Sequence, residues 1–344
     1  MSQKGSKTSK ASKSQNRSKG NARGRSSAKK ESAAATKDFA GKYNFMGIAP
    51  AFAVMSGLIV LLSFGVIFGK GLKYGIDFAG GTEVQVQFAE KPPLEGIRTF
   101  LTGIVGNVVV QTLGENNEVL VRMQMAEGAN EKEVNKNNNA RIGQVRTALI
   151  EKFGVDAENG IRRVDSVGPQ VGEELKTNGI LAVLYSLIMI LIYVGLRFDY
   201  KYAPGAVICL FHDSIITLGI FAMLGKEVNV QILAAILTII GYSLNDTIVN
   251  FDRIRENEVV FKGHPLKWII NRSINDVLSR TLLTSITTLL AVAALYTLAG
   301  GVIEDLAFTL GIGVIVGTYS SIYVAAPLVM LTEKLSKNFA KAEA

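Results

Sequence analysis

The chain has little of what metal and redox sites are made from. Its 344 residues contain one cysteine, Cys209, and two histidines, His212 and His264. A single thiol excludes an intrachain disulfide and leaves the redox compartment undefined. The two histidines are too few and too far apart for a zinc pattern, so no metal site and no cofactor is expected. Charge is scarce too. Asp, Glu, Lys and Arg make up 19% of the chain against 48% hydrophobic residues, which argues against an ordinary soluble domain.

What is there instead is a set of long apolar runs. A helix that crosses a bilayer needs about 20 predominantly apolar residues. Six segments qualify: Met46–Phe68, Asn178–Leu196, Ala203–Leu224, Val228–Phe251, Leu282–Ala299 and Leu306–Leu331. The net charge of +8 is concentrated outside them. Residues 1–42 hold 12 Lys/Arg against Glu31 and Asp38, which is +10, so the remainder is near −2. This Ser/Gly/Ala/Lys-rich tail has almost no apolar residues and is expected to be disordered. A polybasic arm can bind anionic membrane lipids; nucleic acid is not the expected partner. The basic region is too long, and the apolar core after it too long, for a cleaved secretory signal.

Lys and Arg enrich cytoplasmic loops. The tail, the connection holding Arg197 and Lys201, the connection from Arg253 to Arg280 and the C-terminal segment 332–344 with Lys334, Lys337 and Lys341 all carry them. The pattern predicts both termini in the cytoplasm and residues 70–177 outside. Within the fourth connection, roughly 264–280, Leu266, Ile269, Ile270, Ile274, Val277 and Leu278 share one helical face. This reads as an amphipathic helix, either lying in the membrane surface or packed on protein, that leads into the fifth span.

The segment between the first two spans alternates strand and helix signals. Thr82–Phe88, Val108–Leu113, Glu118–Met125 and Ile161–Val167 read as strands. Leu94, Ile97, Leu101, Ile104 and Val105 recur at helical spacing, as do Ile142, Val145, Leu149, Ile150 and Phe153. The order β-α-β-β-α-β is ferredoxin-like, an architecture that hosts many functions and by itself indicates none. No nucleophile–base pair stands out, and the chain is not expected to be an enzyme. The glycines of Gly75-Ile-Asp77-Phe-Ala-Gly80-Gly81-Thr82 suit a tight turn from membrane to strand. A phosphate-binding loop would need Lys and Ser/Thr after the last glycine, and Thr82 and Glu83 stand there instead. Val167–Gly172 reads as a hinge returning the chain to the second span.

Charged groups inside spans are costly. An Asp at the centre of a membrane helix costs roughly 2.5–3.5 kcal/mol on insertion scales, and such residues mostly pair, face a bundle interior or line ion relays. Asp246 lies in the fourth span, His212 and Asp213 near the middle of the third, and Arg280 at the start of the fifth. An Asp246–Arg280 contact that forms and breaks would change proton affinity; a static pair that fixes helix packing is the alternative. Ser243, Thr247, Thr281, Thr284, Ser285 and Thr288 offer hydroxyls nearby. Gly311, Gly313, Gly317, Ser320 and Ser321 give the sixth span a small-residue face suited to close helix contact.

Together, the GIDFAGGT run at 75–82, His212-Asp213, the IGYSLNDTIV stretch with Asn245 and Asp246 followed by Phe251-Asp252-Arg253, and SRTLLTS at 279–285 resemble the SecF branch of the SecD/SecF family. The likeness covers roughly Phe45 to Glu333. It implies a six-helix bundle of the resistance-nodulation-division type in the bacterial inner membrane, with one extracytoplasmic α+β domain. It also implies SecD and the SecYEG channel as partners, unfolded preprotein as client, and the proton-motive force as energy source. By position Asp246, Arg280 and Asp213 match the family's proton-relay residues. A small-molecule or lipid exporter half and a non-conducting translocon scaffold are the alternative functions. The long basic tail departs from the pattern.

Overall fold

The computed structural model describes residues 40–113, 117–126, 128, 131–299 and 302–342. Almost all of the basic tail (1–39) lies outside them. Among the described residues, six helices are long and apolar enough to cross a membrane. In chain order the elements are α1 (Phe45–Lys70), β1 (Lys73–Tyr74), α2 (Ile76–Ala79), β2 (Gly81–Gln87), α3 (Leu94–Val105), β3 (Val108–Leu113), β4 (Glu118–Met123), α4 (Glu131–Phe153), β5 (Ile161–Val167), α5 (Pro169–Arg197), α6 (Ala203–Leu224), β6 (Glu227–Val228), α7 (Val230–Val260), α8 (Leu266–Leu298) and α9 (Val302–Ser320). A π-helical turn (Ser321–Ala325) joins α9 to α10 (Ala326–Ala342). The molecule is a membrane helical bundle carrying one small α+β domain.

The domain is a four-stranded antiparallel sheet of order β3-β4-β2-β5 with α3 and α4 on one face. This is the ferredoxin-like topology expected from the alternating signals. Its core forms because period-2 residues Val84, Val86, Val110, Val119 and Val121 meet period-3.6 residues Ile97, Leu101, Val145 and Leu149. Ile104 was expected on that buried face and is instead exposed.

In the bundle, α6, α7 and α9 form the centre while α1, α5 and α8 are largely peripheral. The centre is tight because of small residues. A Cβ on Gly313 would fall 2.3 Å from the Ile239 side chain, and one on Gly317 would fall 3.0 Å from Ser243 Cβ. The small face of the sixth span therefore serves the close α7–α9 contact anticipated for it. On peripheral helices large side chains such as Leu62, Phe68, Met189, Leu196, Leu283 and Leu290 point outward, as lipid- or partner-facing surfaces do.

Three boundaries differ from the sequence reading. The second membrane helix begins at Pro169, nine residues early, so the expected hinge at 167–172 is its first turn. Proline at the start suits a helix, because its fixed φ fits and its missing N–H would be unpaired there anyway. The amphipathic segment near 264–280 is not a separate surface helix but the first half of the continuous helix α8. Its apolar face packs on protein: Ile269, Ile270 and Ile274 are buried, and Ile270 and Ile274 meet Met46 and Ile254 in one cluster. Helix also continues past Leu331 to Ala342, through most of the expected tail.

The beginning of α1 is clamped by α8. Asn271 Oδ1 accepts from the Met46 amide at 3.0 Å, and Asn275 Oδ1 accepts from those of Lys42 and Tyr43, each at 2.9 Å. The first serves an amide of the opening helical turn, which has no partner within the helix, and the other two hold the residues just before the Asn44 cap.

The α7–α9 contact predicts an asymmetry between two glycines of one helix. Gly313→Val is expected to destabilise the detergent-solubilised protein by about 1–3 kcal/mol through overpacking. Gly311→Val, whose Cβ meets only Val292 at 3.4 Å, is expected to be much milder. Thermal unfolding of the two variants side by side checks this.

Candidate functional site

Asp213 sits at the middle of α6 with 1% of its surface exposed. Its carboxylate is fully engaged. Oδ2 accepts from Ser243 Oγ on α7 at 2.6 Å and from Ser320 Oγ on α9 at 2.9 Å, while Oδ1 lies 2.8 Å from His212 Nδ1. An ionised carboxylate only accepts. With Asp213 ionised, His212 therefore donates from Nδ1, and its Nε2 accepts from Tyr319 O–H at 3.0 Å. Ser56 on α1 reaches the same hydroxyl at 3.5 Å. Four helices thus contribute to one polar network, and the glycine contact at Gly317 is what allows Ser243 and Ser320 to reach the same oxygen.

Asp246 lies on α7 one turn beyond Ser243, with 4% of its surface exposed. Its situation is the reverse. Asp246 Oδ2 is buried with no hydrogen-bond partner, and so are Thr247 Oγ1, Asn250 Oδ1 and Thr281 Oγ1 around the same stretch of α7 and α8. Among the described residues, Arg280 is the cation that acts on Asp246 electrostatically. The two make no ion pair within 4.0 Å, so the contact anticipated from the sequence is not closed in this conformation. Arg280 is exposed and lines a cleft of about 450 Å³ together with Tyr193, Asn245, Asp252, Arg253 and Glu256. Asn245 is likewise exposed to that cleft, beside Asp246 in the chain.

Asp252 and Arg253 belong to a charged lattice past the end of the apolar stretch. Arg253 donates to Asp276 Oδ2 from Nε at 3.0 Å and from Nη2 at 2.7 Å, tying α7 to α8, and also pairs with Glu256. Asp252 pairs with Arg255 at 2.7 Å. Among the described residues, no three His, Cys, Asp or Glu side chains converge as a metal set would require.

The glycine motif is more than a turn. Gly75 N–H donates to Val228 O at 2.8 Å, and β1 pairs in parallel with β6, the link between α6 and α7. Asp77 Oδ2 accepts from the Val230 amide at 3.0 Å, capping the N-terminus of α7, where an anion also complements the helix dipole. Phe78 inserts among Leu210, Phe221, Val228 and Ile232. Gly80 and Gly81 have φ of +71° and +142°, and a Cβ on Gly81 would fall 2.9 Å from Met123 O. Thr82 is buried and accepts from Asn138 Nδ2 at 2.8 Å, with Ser166 Oγ 2.9 Å away.

Several of these partners were not singled out from sequence. Ser243 was expected to serve Asp246 and instead serves Asp213. Tyr319 was missed, although a Tyr-Ser-Ser triplet inside an apolar span is a visible signal. Asn138 was not singled out either and is the domain's buried bond to Thr82. Asn250 was missed as well; one turn from Asp246, it points its amide at Ser321 O in the π-helical turn, 3.5 Å away.

The contrast between the carboxylates has a measurable consequence. Asp213→Asn removes an acceptor that three groups use and is expected to cost about 1–3 kcal/mol. Asp246→Asn, which removes no closed hydrogen bond, is expected to leave stability nearly unchanged. Thermal unfolding in detergent at neutral pH distinguishes the two.

Comparison with known proteins identifies the family. Residues 147–335 match the family model described as protein export membrane protein SecD/SecF, C-terminal, and residues 65–91 match the SecD/SecF GG motif. Protein translocase subunit SecF of Calditerrivibrio nitroreducens is 43% identical over 85% of this chain and 94% of its own length. The corresponding Pseudomonas aeruginosa subunit is 41% identical over 80% of this chain and 86% of its own. The crystal structure of the translocon-associated membrane protein SecDF from Thermus thermophilus superposes with a TM-score of 0.75 at 37% identity, covering 85% of this chain but 39% of that longer one. On these matches, the chain belongs to the SecD/SecF family of protein-export membrane proteins.

Proposed function

We propose that the chain is a SecF-type subunit of the Sec protein translocase that works with SecD beside the SecYEG channel. In this reading it uses the proton-motive force to assist preproteins across the bacterial cytoplasmic membrane. It is a transducer and not an enzyme: protons move, and no covalent bond of the client is altered. Its partners are SecD, the channel, the unfolded client and the surrounding lipids. The relatives' names support the translocase role. The observation that carries the proton role is Asp246, a carboxylate buried in a membrane helix with an unpartnered oxygen and Arg280 within electrostatic reach.

The physical case is one of contrast. Asp213 is held by three bonds and serves as the fixed part of the site. Asp246 has no such holders, so proton binding there breaks no hydrogen bond and can be reversed. Approach of Arg280 favours the ionised form and withdrawal favours the protonated one. One charge crossing a membrane potential of 100 mV supplies about 2.3 kcal/mol, while a tenfold shift between two conformations needs about 1.4 kcal/mol. Asp213 takes part in the relay as its fixed carboxylate: it keeps its three bonds and orients the His212–Tyr319 chain, while the proton is exchanged at Asp246. The basic connections support an orientation with both termini cytoplasmic and the α+β domain outside.

Two measurements test this reading. Asp246→Asn and Arg280→Ala are expected to accumulate normally yet lose the part of preprotein export that depends on a proton gradient in inverted membrane vesicles. Undiminished gradient dependence in both would overturn the relay. For orientation, the only native cysteine, Cys209, is fully buried, which leaves introduced thiols as clean reporters. Lys136→Cys in the domain should react with a membrane-impermeant maleimide in intact spheroplasts, and Lys262→Cys only after lysis. The opposite pattern would invert the topology.

A further inference from the structure

Among the described residues, the α+β domain and the bundle meet at one charged joint, next to the end of the helix that carries Asp246. Arg122 on β4 donates from Nε to Glu83 Oε2 on the neighbouring strand β2 at 2.5 Å. The same guanidinium pairs through Nη1 with Glu227 on β6, three residues before α7 begins. All three side chains are largely buried, at 16% to 24% exposure. Glu83 therefore fixes Arg122 within the domain, and Glu227 is the bundle's grip on it. Asp77 makes a second grip by capping the Val230 amide, and the β1–β6 ladder makes a third. Lys226, beside Glu227, pairs with Asp305 near the start of α9, so this end of α7 is also braced against the sixth span.

From these contacts we propose that Glu227, with Arg122 and Asp77 as its counterparts, is the coupling point that delivers movement of α7 to the α+β domain. The proposal rests on the proton-driven reading above and adds to it the route from the membrane to the domain. A helix rises 1.5 Å per residue, so Asp246 lies about 24 Å along α7 from Val230. A helix is stiff over that distance. A tilt or axial shift at Asp246 therefore appears at the Val230 end, where two carboxylates hold the domain. The domain's other tethers are its two chain connections to α1 and α5. On the α1 side, Gly71 at φ +79° has open space around it and supplies little resistance to such movement.

Glu227 is the residue to test, because Arg122 keeps its partner Glu83 when Glu227 is changed and the domain need not unfold. The full chain is reconstituted with its SecD partner, and spin labels are placed at Lys136→Cys in α4 and Leu224→Cys at the end of α6. In Glu227→Gln the ratio of docked to released domain is expected to fall roughly tenfold with the loss of this ion pair, and gradient-dependent export to fall with it. Glu227→Asp should restore both. Asp77→Ala should act in the same direction.

An unchanged label distance in Glu227→Gln, measured in otherwise folded protein, would overturn the joint. So would a released domain whose export remains gradient-dependent. Asp246→Asn is carried in parallel and reads the proton relay separately. Gradient-dependent export that survives Asp246→Asn would remove the relay, and the label distance of Glu227→Gln would then still decide whether Glu227 holds the domain.

Discussion

The close approach of α7 and α9 is the contact on which the rest of the bundle depends. Within a bilayer every buried polar group has to find its partner in the protein or in trapped water. At Gly313 and Gly317 the two helices come near enough for hydroxyls on both to reach one carboxylate on α6. That contact absorbs the cost of burying Asp213. It also sets the rotation of α7, and rotation decides what Asp246 faces: a stretch where Thr247, Asn250 and Thr281 also keep polar atoms unpartnered. The same packing that satisfies one aspartate leaves the other open.

Much of this was legible in the sequence. Six spans follow from apolar run length, and the ferredoxin-like order follows from the change between period 2 and period 3.6. Asp213, Asp246 and Arg280 stand out because charge inside an apolar run is rare. What could not be read is rotation and continuity. Ser243 lies three residues before Asp246, close enough to suggest service to it, yet the turn of the helix aims it at Asp213. The segment from Leu266 to Ser279 is too polar for a hydropathy reading to join it to the fifth span, while backbone hydrogen bonding continues through it unbroken. Asn138 sits in a run of polar residues, and only the packing of α4 on the sheet shows that it is the one turned inward to Thr82.

The glycine motif shows how one short sequence meets several constraints at once. Gly80 and Gly81 adopt backbone conformations that other residues rarely take, and they let Gly172 of α5 come close to the chain at Phe78 and Gly80. Asp77 and Phe78 then face the bundle, one capping α7 and the other filling the apolar space beside it. Thr82 faces the domain and bonds to α4 and β5. A turn alone would need the glycines. The carboxylate and the ring are explained by what lies on the membrane side.

This arrangement bears on how a proton can do mechanical work here. A carboxylate locked by three hydrogen bonds, as Asp213 is, would have to break them to respond to a proton, and the energy of one charge in the membrane field would be largely consumed in doing so. A carboxylate with an open oxygen spends little on its own release. What then changes on protonation is the attraction between Asp246 and Arg280, hence the relative position of α7 and α8. Those two helices are fastened to each other past the apolar stretch by Arg253, Asp276, Asn257 and Ser273, so they cannot easily part at that end. Movement of α7 is therefore carried to its other end, where the helix is joined to the α+β domain.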